Sequence, residues 1–497
     1  MTSIVLQALY SLDPRLPAID DGTLRLTYGD LQRFVTQEED WLSSLGARRC
    51  ASLADNSARW IVTDLALLAS GAVHVPIPGS FTASQVRHLL DDAAIDSVIT
   101  DRPEQVLAVD ASFATVARSN RTGLAFLRRE RVRFAARLDA VAKITYTSGS
   151  TGTAKGVMLQ SGAIERVAHS LVGATAGIGI ERHMCVLPLP TLLENIAGVY
   201  APLLLGAQIH ARPLASIGMS DGRLNPSALL QAISAVEPGS LVLVPELLRV
   251  LLDATGRGWL PPRSLKFIAV GGASVSPELL EQAHAAGLPV FEGYGLSECA
   301  SVVCLNTPAH HRPGSVGRPL PHSHVRIDAS GEICVAGATM SGYLGDDVMN
   351  SAEIRTGDLG DIDADGYVYV RGRAKNMFIT SMGRNVTPEW VERELVCEPA
   401  IMTAMVSGEA RPYPVALISA APSATSTTID RAVARANTRL PGYAQVRRWA
   451  AFPEPPTATN GLLTANGRLR RNEIVARHRE LIESLYDHED SELHEFS

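Results

Sequence analysis

Tyr146-Thr147-Ser148-Gly149-Ser150-Thr151-Gly152-Thr153-Ala154-Lys155-Gly156 is a small, hydroxylated, glycine-rich run with a lysine near its end. Such a run can wrap a polyphosphate. Glycines let backbone N–H groups approach an anion closely, hydroxyls rotate to donate, and Lys155 adds a point charge. Upstream, residues 142–146 read as a short strand. Downstream from Gln160, the residues Ile164, Val167, Ala168 and Leu171 fall at helical spacing. Strand, loop and helix form a recurring phosphate-binding context. Lys155 is followed by Gly156, not by Ser or Thr, so this is not a Walker loop. A flexible surface loop is the competing reading, and the motifs further along the chain weigh against it.

Working outward, the chain repeats one rhythm. Thr27 to Leu31 follows a turn and opens a helix. Trp60, Ile61, Leu65, Leu67 and Leu68 mark a buried helix, with strands expected at 73–77 and 98–100. Residues 118–137 are arginine-rich and read as a solvated connection. Residues 183–211 read as strand, turn and a very apolar helix, with Glu194 and Asn195 near its start. A strand at 267–270 meets the glycine turn at Gly271-Gly272, and a helix follows from Pro277. Strands alternating with helices imply a largely parallel sheet. Residues 331–373 instead alternate apolar and polar, with turn signals such as Asp365-Gly366, and read as antiparallel β-structure.

Composition bounds the function. A chain of 497 residues suggests two or more domains. Net charge is −7 with no long basic run, which argues against nucleic acid as a partner. The six scattered cysteines form no CxxC pair, against a structural zinc site or a disulfide framework. The N-terminal residues lack the pattern of a signal peptide, and no apolar run reaches the ~18 residues of a membrane span. A cytoplasmic protein is the expectation. Only four of the 45 basic residues are lysine: Lys143, Lys155, Lys266 and Lys375.

Further motifs stand in order along the chain: Gly293-Tyr294-Gly295-Leu296-Ser297-Glu298, Thr356-Gly357-Asp358, and Gly372-Arg373-Ala374-Lys375-Asn376 with Gly383-Arg384-Asn385. A last one is Asn460-Gly461-Leu462-Leu463-Thr464, continuing to Arg468-Leu469-Arg470-Arg471. Taken with the 146–156 run, they resemble the adenylate-forming superfamily of acyl-CoA synthetases, peptide-synthetase adenylation domains and luciferases, and among these bacterial long-chain fatty acyl-CoA synthetases most. The resemblance covers nearly the whole chain. It implies an α/β fold: a large N-terminal domain (1–373) of mixed, largely parallel sheets with flanking helices and a small β-barrel-like part. A hinge joins it to a small, mobile α+β C-terminal domain (374–486), and an acidic tail (487–497) follows.

The resemblance also assigns roles. Thr147, Ser148, Gly149, Ser150, Thr151, Gly152 and Lys155 would hold the phosphates of ATP. Gly293, Tyr294 and Gly295 would meet the adenine, with Tyr294 stacked on it. Ser297 would contact the α-phosphate, and the hard carboxylate of Glu298 would help hold Mg²⁺. Asp358 and Arg373 would contact the ribose. Lys375 falls at the hinge. Gly272 and Gly383 fall in the substrate and pantetheine path. Thr191 stands where fatty-acid-activating relatives usually carry His, and Glu194 matches their acid. Glu194 is either a residue supporting the acyl site or an acid favoured by its helix dipole. The implied reaction joins a carboxylic acid, fatty or otherwise lipophilic, to coenzyme A through an acyl-adenylate. Loading of a carrier-protein phosphopantetheine, or binding without catalysis, are the alternatives.

One position departs from the pattern. Relatives place a lysine on the C-terminal loop, and Arg468 occupies its place here, with no lysine after Lys375. Arginine keeps the charge but is planar and bulkier. Either Arg468 serves as the catalytic cation or adenylation is slowed. The first is favoured, because the other motifs are intact and arginine dominates the chain.

Overall fold

The computed structural model describes residues 3–130, 138, 140–147, 154–220, 223–273, 275–346, 353–422, 424–464 and 467–486. Residues 148–153, which carry Ser148, Gly149, Ser150, Thr151 and Gly152, lie outside the described residues, as does the acidic tail.

Two large sheets carry the fold. The nine-stranded sheet runs in the order Arg318–Pro319, Ser301–Leu305, Val290–Leu296, Phe267–Val270, Ser240–Leu243, Arg182–Met184, Gln208–His210, Pro17–Asp20, Arg25–Thr27. Its central pairs are parallel and its edges antiparallel. The eight-stranded sheet has a parallel centre, Val141–Thr147, Val73–Pro76, Arg49–Leu53 and Ser97–Thr100, again with antiparallel edges. A four-stranded antiparallel sheet from Ser323–Ile327 to Val368–Arg373 forms the smaller β part. A three-stranded sheet, Ile401–Ser407, Val415–Ala420 and Arg448–Ala451, anchors the C-terminal part.

Local chemistry explains the elements. The Thr27 hydroxyl accepts from Asp30 N–H while the Asp30 carboxylate accepts from Thr27 N–H, a capping box that starts the helix Tyr28–Ser44. Ser57 caps Ala58–Ser70, whose apolar side chains are buried nearly all round, and Gly71 ends it in the left-handed region at φ 71°.

The structure differs from the sequence reading in two places. The glycine-rich run does not lead directly into a helix. Lys155–Gln160 forms a strand antiparallel to Val141–Thr147, so the run spans a hairpin and the helix Ser161–Thr175 begins only after it. Val157, Met158 and Leu159 are buried, and so short an apolar run carries no helix-or-strand signal of its own. The arginine-rich connection also contains a strand, Ala125–Arg129, paired with Phe113–Arg118 at its entrance. Its arginines serve the structure: Arg129 bonds Asp91, Asp110 and the backbone carbonyl of Ile95.

The apolar segment at 194–205 is a π-helix, Glu194–Tyr200, running into the α-helix Ala201–Leu205. Ala201 N–H donates to the Ile196 carbonyl, the five-residue step of a π-turn. Pro202 supplies a reason, since it has no N–H for the Gly198 carbonyl. The Cys185 thiol donates to that carbonyl instead, at 3.6 Å.

Beside the Gly293 motif, Glu292 is buried, and its carboxyl accepts only from Val275 N–H among the described residues. Burial pushes its pKa up to about 8. A raised folded-state pKa gives stability that is full below the unfolded value near 4.5 and is lost as pH rises towards 8. Glu292→Gln removes that loss: its urea midpoint changes less between pH 5 and pH 8 than the wild type's, read by denaturation at each pH.

Candidate active site

A cavity of about 1530 Å³ opens where the C-terminal ends of the central parallel strands meet the four-stranded sheet and the C-terminal part. Thr147, Lys155, Thr191, Gly272, Gly293, Tyr294, Gly295, Ser297, Glu298, Arg373, Lys375 and Arg468 all line it, although they are spread over more than three hundred residues of sequence. Glu194, Asp358 and Gly383 do not line it.

The polar end is a connected set. Tyr294 O–H donates to Asp358 Oδ2 at 2.6 Å, and Arg373 Nε pairs with Asp358 Oδ1 at 2.7 Å. Asp358 is therefore held behind Tyr294 and Arg373, with both oxygens engaged. Burial and the Asp358 charge push the Tyr294 hydroxyl well above its ordinary pKa, so it stays a donor. Gly295 sits at a register shift, and a Cβ there would lie 1.8 Å from the Ser301 carbonyl, so only glycine lets these strands close.

Tyr343 was not picked out from the sequence. Its strand Gly342–Tyr343 adds to Lys155–Gln160. Its hydroxyl donates to Glu298 Oε1 at 2.8 Å, and the Lys155 ammonium sits 5.0 Å over its ring. Tyr343 thus stands between Lys155 and Glu298. One Glu298 oxygen is engaged and the other has no partner among the described residues, so a hard cation such as Mg²⁺ fits there.

Arg468 stands on a short hairpin closed by the Leu463–Leu469 bridge. Its Nε donates to the Gly272 carbonyl at 2.5 Å, across the cavity from its own backbone. The side chain lies deep among protein atoms, yet its surface borders the open cavity. Burial and then Arg373 lower its pKa, while Asp358, Tyr294 and Glu298 raise it. Lys375, half-buried next to Arg373, is likewise lowered, first by burial. Gly383 lies on an exposed turn at φ 71°, away from the cavity.

The opposite end is apolar. His183, Ser240, Val242, Phe267 and Ala269 share one face of the nine-stranded sheet and form its floor. Leu171 and Thr175 of the helix Ser161–Thr175, with Ala197, Ala201 and Leu205, cover it. Glu194 is buried behind this wall, in the first turn of its helix. It accepts from Leu187 N–H and pairs with His183 Nε2, both at 3.3 Å. His183 Nδ1 meets Ser240 Oγ at 2.8 Å. A Cβ on Gly198 would lie 2.3 Å from Glu194 Oε1, so this packing requires glycine.

Residues 10–344 match the AMP-binding enzyme family, and residues 375–490 match the AMP-binding enzyme C-terminal domain. The chain belongs to the AMP-binding enzyme family. This AMP-binding enzyme is adenylate-forming, an AMP-forming ligase of the acyl-CoA synthetase type. It is 28% identical to the long-chain-fatty-acid–CoA ligase FadD15 of Mycobacterium bovis, over 90% of each chain. It is 28% identical to the 2-succinylbenzoate–CoA ligase of Bacillus mycoides, over 80% of this chain and 84% of that one. The crystal structure of the anthranilate CoA ligase AuaEII with anthranoyl-AMP superposes with a TM-score of 0.79 at 19% identity, covering 95% and 96% of the two chains, a likeness of fold. Among the described residues, no helix is long and apolar enough to cross a membrane.

Proposed function

We propose that this enzyme activates a long, lipophilic carboxylic acid as its acyl-adenylate and passes the acyl group to the thiol of coenzyme A. The depth of the apolar chamber carries the choice of acid. The cavity follows the strand Phe267–Val270 from Gly272 at its mouth down to Phe267, five residue steps or about 16 Å. Along that length the wall offers Val242, Ala269, Ala197, Ala201 and Leu205. The only described side-chain polar pair on the floor, His183 and Ser240, is already hydrogen-bonded and makes little demand on a ligand. A compact aromatic acid would leave the inner half of this chamber empty.

The residues at the mouth then divide the work. The acid's carboxylate oxygen attacks the α-phosphorus of ATP, forming the acyl–phosphate bond as the bond to pyrophosphate breaks. Both reactants are anions, so the site must hold positive charge where they meet. Arg468 reaches the Gly272 edge, where the carboxylate enters. Thr147 and Lys155 flank the loop that would hold the departing phosphates. Mg²⁺, held by Glu298, would neutralise phosphate charge. Tyr294 offers an aromatic face to the base. Arg373 reaches the ribose directly, while Asp358 orients Tyr294 and Arg373. No protein nucleophile is required, and catalysis rests on position and charge. In the second step the thiol sulfur attacks the acyl carbon and AMP leaves. That step requires the Arg468 hairpin to withdraw and the Gly383 turn to approach, with Lys375 as the pivot.

Ala269 lies midway along the floor. Ala269→Phe is expected to lower kcat/KM for a long-chain acid by about tenfold or more while sparing a short-chain acid. Pyrophosphate release measured over a chain-length series tests this. Equal losses at every length would remove the chamber from the account. Acid-dependent pyrophosphate release without consumption of coenzyme A would move the acceptor to a carrier-protein pantetheine.

A further inference from the structure

A second recess of about 440 Å³ lies on the large sheet where the strands Arg182–Met184, Gln208–His210, Pro17–Asp20 and Arg25–Thr27 adjoin. None of its lining residues borders the large cavity. The sheet register builds it. Asp20 pairs with His210 on one side and Arg25 on the other, and Gln208 pairs with Arg182, so these side chains share one face. Arg212, two residues beyond His210, closes the recess over Gly22.

Its polar atoms are unusual. His210 is only 7% exposed, yet neither ring nitrogen has a hydrogen-bond partner. The buried Nε of Arg212 has none either. Leaving buried polar groups unpaired costs on the order of 1–3 kcal/mol each, and here three such nitrogens gather in one recess. The acids nearby are occupied. Asp20 Oδ2 pairs with Arg25 Nε at 3.1 Å, and its Oδ1 accepts from Gly22 N–H. Glu237 lies 3.8 Å from Arg182 and is exposed. Three guanidiniums against two carboxylates leave the recess positive.

We propose that this recess is a second binding site, outside the active site, for a small oxoanion of the phosphate class. Arg182 and Arg212 supply charge and donors, and the His210 N–H supplies a further donor. An imidazole buried among arginines is held neutral: burial, opposed by Asp20 and reinforced by Arg212, Arg182 and His183, lowers its pKa to about 4. A bound anion favours the protonated ring, so binding tightens as pH falls and the His210 titration moves to higher pH.

The test follows the His210 ring resonance by NMR in the full chain, assigned with His210→Gln. Inorganic phosphate is added at constant ionic strength. Pyrophosphate and adenosine 3′,5′-bisphosphate form parallel arms, which tell a free ion from a phosphate carried on a larger molecule. The expected result is a saturable shift in the millimolar range with at least one of the three. A higher His210 pKa and about tenfold weaker binding in Arg212→Gln should accompany it. Arg182→Gln replaces that variant if Arg212→Gln does not fold. A His210 resonance that none of the three anions moves, or that moves equally in the variant, overturns the proposal and leaves the recess to water.

Discussion

Arg468→Ala lowers acid-dependent pyrophosphate release by about 10²- to 10³-fold, the effect of removing one preorganised charge from a reacting centre. Besides Arg468, the cavity is lined by the cations Lys155, Arg373, Lys375, Arg102, Arg355 and Arg470; Arg102 pairs with Asp101, Arg355 with Asp328 and Glu332, and Arg470 donates to the Gly461 carbonyl. Lys155 sits over Tyr343, and Arg373 is committed to Asp358. Lys375 is half-buried beside Arg373. Arg468 alone reaches across to the Gly272 carbonyl. The loss falls on adenylation, so thioester formation from supplied acyl-adenylate is expected to keep most of its rate. Arg468→Lys preserves the charge and loses the planar fork, and should retain much of the activity. If Arg468→Ala releases pyrophosphate at the wild-type rate, arginine is not the catalytic cation. If Arg468→Lys is faster than wild type by orders of magnitude, the arginine is a handicap.

The second large effect is on stability. Lys143→Met destabilises the protein by about 3–5 kcal/mol, because it strands a buried carboxylate. Lys143 Nζ donates to Asp64 Oδ1 at 2.8 Å, with side chains 4% and 1% exposed. Asp64 also takes the His74 ring nitrogen at 2.6 Å, Asn195 Nδ2 at 2.8 Å and the Tyr200 hydroxyl at 2.9 Å. The network joins the strand entering the phosphate loop to the π-helix over the acyl chamber. Burial alone would raise the Asp64 pKa, but Lys143 and the His74 bond hold it below the ordinary carboxylate range. Its contribution is therefore present above the unfolded pKa near 3.8 and is lost as pH falls. Lys143→Met reverses that sign: the carboxyl must stay protonated, and the variant weakens as pH rises. Adding Asp64→Asn removes the stranded charge, leaves one oxygen to accept from Asn195 and Tyr200, and should recover most of the loss. Urea denaturation of the wild type and the two variants at pH 5 and pH 8 reads both effects. A loss in Lys143→Met no larger than that of an exposed lysine would deny the pair its role.

Much of this was legible in sequence because the chemistry is local. The strand–helix rhythm, the Gly271-Gly272 turn and the ordered motifs all sit in contiguous residues. Tyr343 was not legible: its role arises only when a two-residue strand pairs at Val157 and turns its hydroxyl to Glu298. The hairpin at the glycine-rich run was missed because three buried residues cannot declare a period. That Asp358 would be engaged by Tyr294 and Arg373 was not legible either, because strand pairing brings together positions far apart in the chain. Lys143 and Asp64 looked like ordinary strand and helix residues, and no spacing links positions 79 residues apart.

The most direct test of the central claim is the rate of pyrophosphate release from ATP–Mg²⁺ over saturated acids of increasing length and over aromatic acids, with coenzyme A present. Release is expected to require the acid, rise with chain length and be matched by consumption of coenzyme A. Turnover confined to compact aromatic acids, or none with any acid, would contradict it.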